Sequence, residues 1–289
     1  MVSPRSSRAQ VAPSVAPPQT RRERRAAAER QAARQRVSVV GVLGELLLTA
    51  GVVVMLFVVW QVWIGDIIIG SASDREAAAL SEEWSALPPV ELPPVHTADS
   101  DEGAAGSGEE PAEQDPAPVV YEPVVPAHPA AGQPVATLHI PRFGEGFVRT
   151  IAGGTSRSVT LDRGYVGVYE KSSMPGEAGN FSLAAHRNTA GGAFSDIDSL
   201  RLGDAIVVET RDGWITYRFR SHEYVTPREV GVLLDVPQMP ELRTGEQYIT
   251  LMSCFPRYSI AERVIAYGVF ESFQPRALGA PASLTEVGA

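Results

Sequence analysis

The sequence predicts an all-β fold, a closed seven- to eight-stranded barrel with one short helix, set behind a single transmembrane helix and a disordered tether. Three observations predict it. Residues 46–64 run without a charge. Residues 66–133 hold fourteen acidic side chains and ten prolines against one Arg. From Val135 onward, short β-branched and aromatic runs alternate with glycine-bearing turns.

The chain has 289 residues and a net charge of −9, which argues against a general nucleic-acid binder. That average conceals three blocks. Residues 1–36 carry +7, residues 66–133 carry −13, and the remainder from 134 carries −2. The first block is a basic tail and only the last has the composition of a folded domain.

Residues 37–65 form the anchor. Within 46–64 only Thr49 and Gln61 are polar, and nineteen residues at about 1.5 Å each cross a hydrocarbon core of roughly 30 Å. Glu45 marks the near interface, and Trp60 and Trp63 stand where an aromatic belt belongs. Seven Arg between positions 21 and 36 precede the span and no basic cluster follows it. The positive-inside rule therefore places the N-terminus in the cytoplasm and the rest outside, at the cell membrane. Ser71-Ala72-Ser73 would suit signal cleavage, but the apolar run exceeds the ~7–15 residues of such a peptide.

Residues 66–133 cannot bury enough apolar surface to offset chain entropy and are expected to be a linker without fixed structure. As a coil they span on the order of 45 Å. Residues 74–84 have the composition of a short helix. His96 and His128 fall in this linker and are not positioned.

The folded domain is assigned to residues 134–272, followed by a flexible tail, 273–289. Strands are predicted at 135–140, 165–169, 181–185, 205–210, 214–223, 248–254 and 264–270, and a short helix at 194–200. Asp212-Gly213 between two strands is a hairpin signal. Residues 134–289 are expected to fold without what precedes them.

Cys254 is the one cysteine, which excludes an internal disulfide and a Cys-rich zinc site. It closes a predicted strand and precedes Phe255-Pro256, at a position where side chains face a cleft. The plainer alternative is a small buried hydrophobe. His186 likewise stands where a strand spills into a polar, glycine-rich stretch, whereas His139 and His222 lie within strands. The 68-residue spacing between His186 and Cys254 decides nothing by itself.

Three segments together resemble the sortases. Met174-Pro175-Gly176-Glu177-Ala178-Gly179-Asn180-Phe181, ending in His186-Arg187-Asn188-Thr189, is similar to their catalytic-histidine motif. Thr250-Leu251-Met252-Ser253-Cys254 resembles their Thr-Leu-x-Thr-Cys strand, and Arg263 lies nine residues past the thiol, where the family places its arginine. Pro-Arg-Tyr-Ser after the cysteine is most similar to class E, the housekeeping type of actinobacteria. Ser253, Phe255 and Ala185 depart from the usual Thr, His and Gly, and the first two bear on substrate choice.

The resemblance implies a cysteine transpeptidase with Cys254 as nucleophile, His186 as acid and base, and Arg263 as oxyanion or carbonyl stabiliser. Arg257 and Arg187 are rival arginines, and a surface salt bridge is the plainer role for Arg263. In sortases the loop before the cysteine strand lines the substrate groove, which here nominates Val230, Val232, Leu233, Leu234, Val236 and Pro237, with Ser253, as substrate-binding residues. A loop merely packing on its barrel is equally compatible with that cluster. The implied partners are secreted proteins bearing a Leu-x-x-Thr-Gly signal, specifically Leu-Ala-x-Thr-Gly, and a lipid-linked peptidoglycan-precursor amine. No cofactor, metal or nucleic acid is expected, nor a dependence on calcium. Two alternatives remain: an L,D-transpeptidase, whose Ser-His-Gly-Cys context is missing, and a non-catalytic anchored barrel whose Cys254 is inert.

Overall fold

A computed structural model describes residues 20–34, 38–60, 65–88, 90, 92–93 and 119–287. The chain divides into two compact units, residues 1–58 and 59–289. In the first, helix α1 spans Arg21–Arg34 and is followed by α2, Val39–Val59, none of whose residues is buried. By length and composition α2 can cross a membrane, as a single-pass anchor requires. Trp63 lies outside the described residues.

The second unit is an eight-stranded closed barrel: β1 Pro134–His139, β2 Val148–Gly153, β3 Val166–Val168, β4 Gly179–Ala184, β5 Ala205–Glu209, β6 Gly213–Val225, β7 Gln247–Phe255 and β8 Glu262–Pro275. Around the wall the order is β1-β2-β3-β4-β7-β8-β6-β5. The β2–β3 and β4–β7 pairs are parallel and the others antiparallel. Closure leaves no sheet edge. Inward side chains such as Leu138, Ile151, Phe181, Leu183, Ile206, Ile215, Tyr217, Ile249 and Leu251 fill the lumen. Seven strands coincide with predicted ones. β2 does not, because its buried positions Thr150, Ala152 and Gly153 carry no apolar alternation. The segment expected as a helix at 194–200 holds only a 3₁₀ turn, Ile197–Ser199. It folds back onto the histidine loop, with Phe194 N–H donating to His186 O at 3.0 Å.

The tether expectation requires correction over residues 65–88 and 119–133. Helix α3, Gly65–Ala86, starts well before residue 74 and packs on β2 and β1. Gly70, Ser73 and Ala77 form its buried stripe at helical spacing, with Leu80, Ser81 and Trp84 half-buried. Small residues allow close approach, so the helix docks without the apolar stripe that would have announced it. Ser73 Oγ donates to Gly164 O at 3.2 Å, Tyr165 OH donates to Glu76 at 2.5 Å, and Asp74 pairs with Arg149. Residues 119–133 also pack: Gly132 N–H and Gly153 N–H bond across to β2's end and to Gln133 O. A Cβ on Gly153 would stand 2.3 Å from Ala130 O, so glycine is required there. His128 lines a cavity of about 200 Å³ beside Gly153 and Gly154. Residues 94–118 of the expected tether lie outside the described residues.

The C-terminal tail is likewise packed rather than free. β5 and β6 turn Ala205, Val207 and Trp214 outward, and Leu284 covers them. Ser283 bonds Thr216 at 2.9 Å and Glu286 accepts from Arg218 at 2.8 Å.

One buried carboxylate ties these pieces together. Glu209, 1% exposed, accepts from Ser81 of α3 at 2.7 Å, Thr137 at 3.2 Å and Arg276 at 2.9 Å, and pairs with His139 at 2.9 Å. Burial alone would raise its pKa. The bonds from His139, Ser81 and Arg276 outweigh burial and bring it from 4.5 to about 2. A depressed carboxylate contributes stability that is present above 4.5 and lost as pH falls toward 2. That displacement corresponds to on the order of 3 kcal/mol. The wild-type Tm should therefore fall between pH 4.5 and 2 more steeply than that of Glu209→Gln. Parallel slopes in acid melting curves would assign the loss to other groups.

Candidate active site

The register of the barrel assembles the site. β4 and β7 pair in parallel from Gly179↔Gln247 to Ala184↔Met252, an offset of 68 residues throughout. His186 and Cys254 are separated by the same number, so the two leave adjacent strands at one level. Ala185 N–H donates to Met252 O at 3.2 Å and Ser253 Oγ donates to Ala185 O at 2.8 Å, carrying the pairing up to them. On the other side, Cys254 is the antiparallel partner of Arg263. Directly opposed residues present their side chains on one face. The pairing spacings therefore set histidine, thiol and guanidinium side by side.

Side-chain alternation fixes which face. Ile249 and Leu251 point into the barrel core, so Met252 and Cys254 point out of it. A cavity of about 650 Å³ opens there, lined among others by Tyr169, His186, Ser253, Cys254, Ile260 and Arg263. Cys254 is partly exposed and unbridged. His186 Nε2 lies 2.7 Å from Asp162 Oδ1, a bond that fixes the ring's orientation. Asp162 sits in the 3₁₀ turn Leu161–Arg163, ended by Gly164 in a left-handed conformation at φ 82°. Arg263 Nη1 donates to Ile260 O at 3.0 Å and Glu262 O at 2.9 Å, which bends its guanidinium along the loop joining β7 to β8. Burial pushes the Tyr169 hydroxyl above its ordinary range; Arg263 opposes this and Cys254 adds to it, which places Tyr169 in the field of both. Its hydroxyl donates to Met252 Sδ at 3.1 Å.

The rival arginines have other partners. Arg187, 3% exposed, pairs with Asp198, donates to Cys254 O at 3.4 Å and stands 5.4 Å from the Phe255 ring. Phe255 packs on Tyr224 at 4.5 Å. Arg257 is turned away onto Ser195 O and Asp196.

None of the six loop residues nominated for substrate lines the Cys254 cavity. Val232 is fully buried against Val225 and Ile265, with Leu233 and Met252 packed beside it. Asn180 donates to Val232 O and Leu234 O at 3.0 Å each, which pins the loop. Val230 is exposed. Leu233 alone reaches a second cavity of about 410 Å³, which shares Thr155 and Tyr169 with the first. Asp162 and Tyr169 escaped sequence reasoning, since a lone Asp in a turn and a Tyr ending a strand carry no motif. Among the described residues no cluster of three His, Cys, Asp or Glu could hold a metal ion.

A family model described as Sortase domain matches residues 138–271. Sortase SrtE1 of Streptomyces coelicolor is 34% identical over 248 residues, 84% of this chain, and the chain spans only 60% of that protein's length. Sortase SrtE2 of the same organism is 33% identical over 235 residues, 79% of this chain and 81% of the relative. The crystal structure of Sortase E1 from Streptomyces coelicolor, with a tripeptide in its active site, superposes with a TM-score of 0.50 at 40% identity, covering 54% of this chain and 99% of that one.

Proposed function

Since this chain belongs to the sortase family, and to its class E by the relatives it matches, we propose that it is a membrane-anchored extracellular cysteine transpeptidase. Family members are cysteine transpeptidases. The single observation that carries the reading to this chain is the shared register, which sets His186, Cys254 and Arg263 on one cavity.

In this mechanism the Cys254 sulfur attacks the threonyl carbonyl of a Leu-Ala-x-Thr-Gly signal. Arg263 stabilises the oxyanion with its planar fork of donors. As the tetrahedral centre collapses, the Thr–Gly bond breaks and His186 gives its proton to the departing glycyl amine. A thioester to Cys254 remains. The amine of a lipid-linked wall precursor then attacks it, His186 takes the proton back, and the carbon–sulfur bond breaks to release a new amide and the Cys254 thiolate. Without an amine, water completes a hydrolysis. Ser253 shapes the cavity through its backbone, because its hydroxyl is committed to Ala185. Leu233, at the second cavity, extends the groove toward the signal's N-terminal residues. With α2 in the membrane and Arg-rich α1 on the cytoplasmic side, the barrel faces the wall.

The test is to incubate the detergent-solubilised full chain with a library of Leu-x-x-Thr-Gly peptides and an amine. Mass spectrometry should find an acyl adduct on Cys254 and peptide joined to amine at threonine. A folded protein whose thiol resists a small alkylating reagent, with no adduct and no product, would favour the inert barrel. Transfer at a D-amino-acid bond would favour the L,D-transpeptidase.

A further inference from the structure

We propose that the α3 helix is a positioning strut for the His186–Asp162 pair, so that catalytic competence depends on a segment outside the barrel. This rests on the transpeptidase reading above. It begins from three backbone segments meeting at one point. A methyl on Gly191, five residues past His186, would stand 2.7 Å from the Gly70 Cα of α3, and one on Gly70 would stand 3.4 Å from the Gly191 Cα. The approach requires glycine at 191, whereas at 70 a methyl would only just touch and a larger side chain would collide. A methyl on Gly164, two residues past Asp162, would lie 3.1 Å from Ala190 O, 3.2 Å from Ile69 and 3.4 Å from the Ser73 Cβ. Thus α3, the loop after the histidine and the turn bearing its carboxylate partner are wedged together.

Polar bonds hold the wedge. Ser73 Oγ donates to Gly164 O at 3.2 Å, and Glu76 accepts from Tyr165, the next residue, at 2.5 Å. Both bonds grip the turn that presents Asp162 to His186 at 2.7 Å. Neither loop is held there by a regular ladder, since β4 ends at Ala184 and β3 begins only at Val166. The far end of α3 bonds Glu209 through Ser81, well away along the helix. One helix thus has a site-proximal grip and a distal one, which can be loosened separately.

The experiment compares Gly70→Leu with Ser81→Ala in the full chain in detergent. Gly70→Leu forces the helix off the 189–191 loop. It should lower kcat of peptide transfer by ~10- to ~10²-fold, the scale of sub-ångström misplacement of a reacting group, with KM within about twofold. Ser81→Ala weakens docking at the distal end and should lower Tm while leaving kcat unchanged. In an Asp162→Ala background, Gly70→Leu should cost less than about threefold, because its route is already cut. A kcat loss no greater than that of Ser81→Ala, or one undiminished in the Asp162→Ala background, would overturn the strut. Should Gly70→Leu fail to fold, Glu76→Ala, which removes only the grip on Tyr165, should show the same kcat-selected loss. A second arm needs no substrate. The ring resonances of ¹⁵N-labelled His186 should move in Gly70→Leu and stay put in Ser81→Ala. Unmoved resonances refute the strut even if the wild type proves inactive on every peptide, a result that would instead sink the transpeptidase reading.

Discussion

Replacing Cys254 by Ala should abolish both peptide cleavage and amine transfer, a loss of more than ~10⁴-fold, on the scale of deleting a covalent nucleophile. The barrel should survive the change. Cys254 points out of the core into the 650 Å³ cavity and is only partly exposed there, so removing one sulfur deletes little packing. No second thiol exists to take over. The measurements are acyl-adduct formation by mass spectrometry and the Tm of the full chain. Residual transfer by the variant would end the covalent mechanism. A Tm drop of many degrees would mean that the thiol packs as a hydrophobe. Ser253, one residue earlier, is the contrast. Its side chain is buried and bonded to Ala185 O, so Ser253→Ala should cost about 1 kcal/mol of stability with the nucleophile intact.

Much of this arrangement was legible in the sequence, and the gaps have physical causes. Strands with alternating Val, Ile and aromatic residues declared themselves, as β5 to β8 did. β2 did not, because Thr150 is buried under α3 with its hydroxyl on Ser73 O, and Gly153 is covered by the 130–133 segment, so neither carries an apolar signature. Composition misled most over residues 65–88 and 119–133. Acidic and proline-rich text lacks a hydrophobic signature, yet α3 docks through Gly70, Ser73 and Ala77, and its acids are spent on Arg149 and Tyr165. Close approach of small residues is invisible to a hydrophobicity pattern. The two-residue motif spacing was the reverse case. A separation of 68 residues means nothing along the chain and becomes informative once β4 and β7 are known to run parallel with that same offset. The loop cluster around Val232 was ambiguous for a real reason: one apolar residue faces the barrel, another a cavity, and a third solvent.

The rival arginines can now be separated by what each guanidinium touches. Arg263→Lys should lower turnover by roughly 10²-fold or more, the scale of losing one oxyanion donor. Lysine keeps the charge but loses the planar fork, and it cannot hold two loop carbonyls while still presenting a donor to the cavity. The present bonds to Ile260 O and Glu262 O are with backbone oxygens, so among the described residues no acidic side chain competes for the head group when a carbonyl arrives. Arg257→Lys should be mild, because Arg257 is half-exposed and turned onto Asp196, where ammonium serves nearly as well. Arg187→Lys should behave differently from both. Arg187 is buried between Asp198, Cys254 O and the Phe255 ring, and lysine forfeits the stacking and one of the two bonds. Its Tm should fall by several degrees, with activity at low temperature largely kept. Single-turnover acylation of the three variants by one threonyl-glycine peptide, read beside their melting curves, makes the comparison. If Arg257→Lys is the crippled variant and Arg263→Lys nearly normal, the oxyanion role belongs to the β7–β8 loop rather than to the strand opposite Cys254.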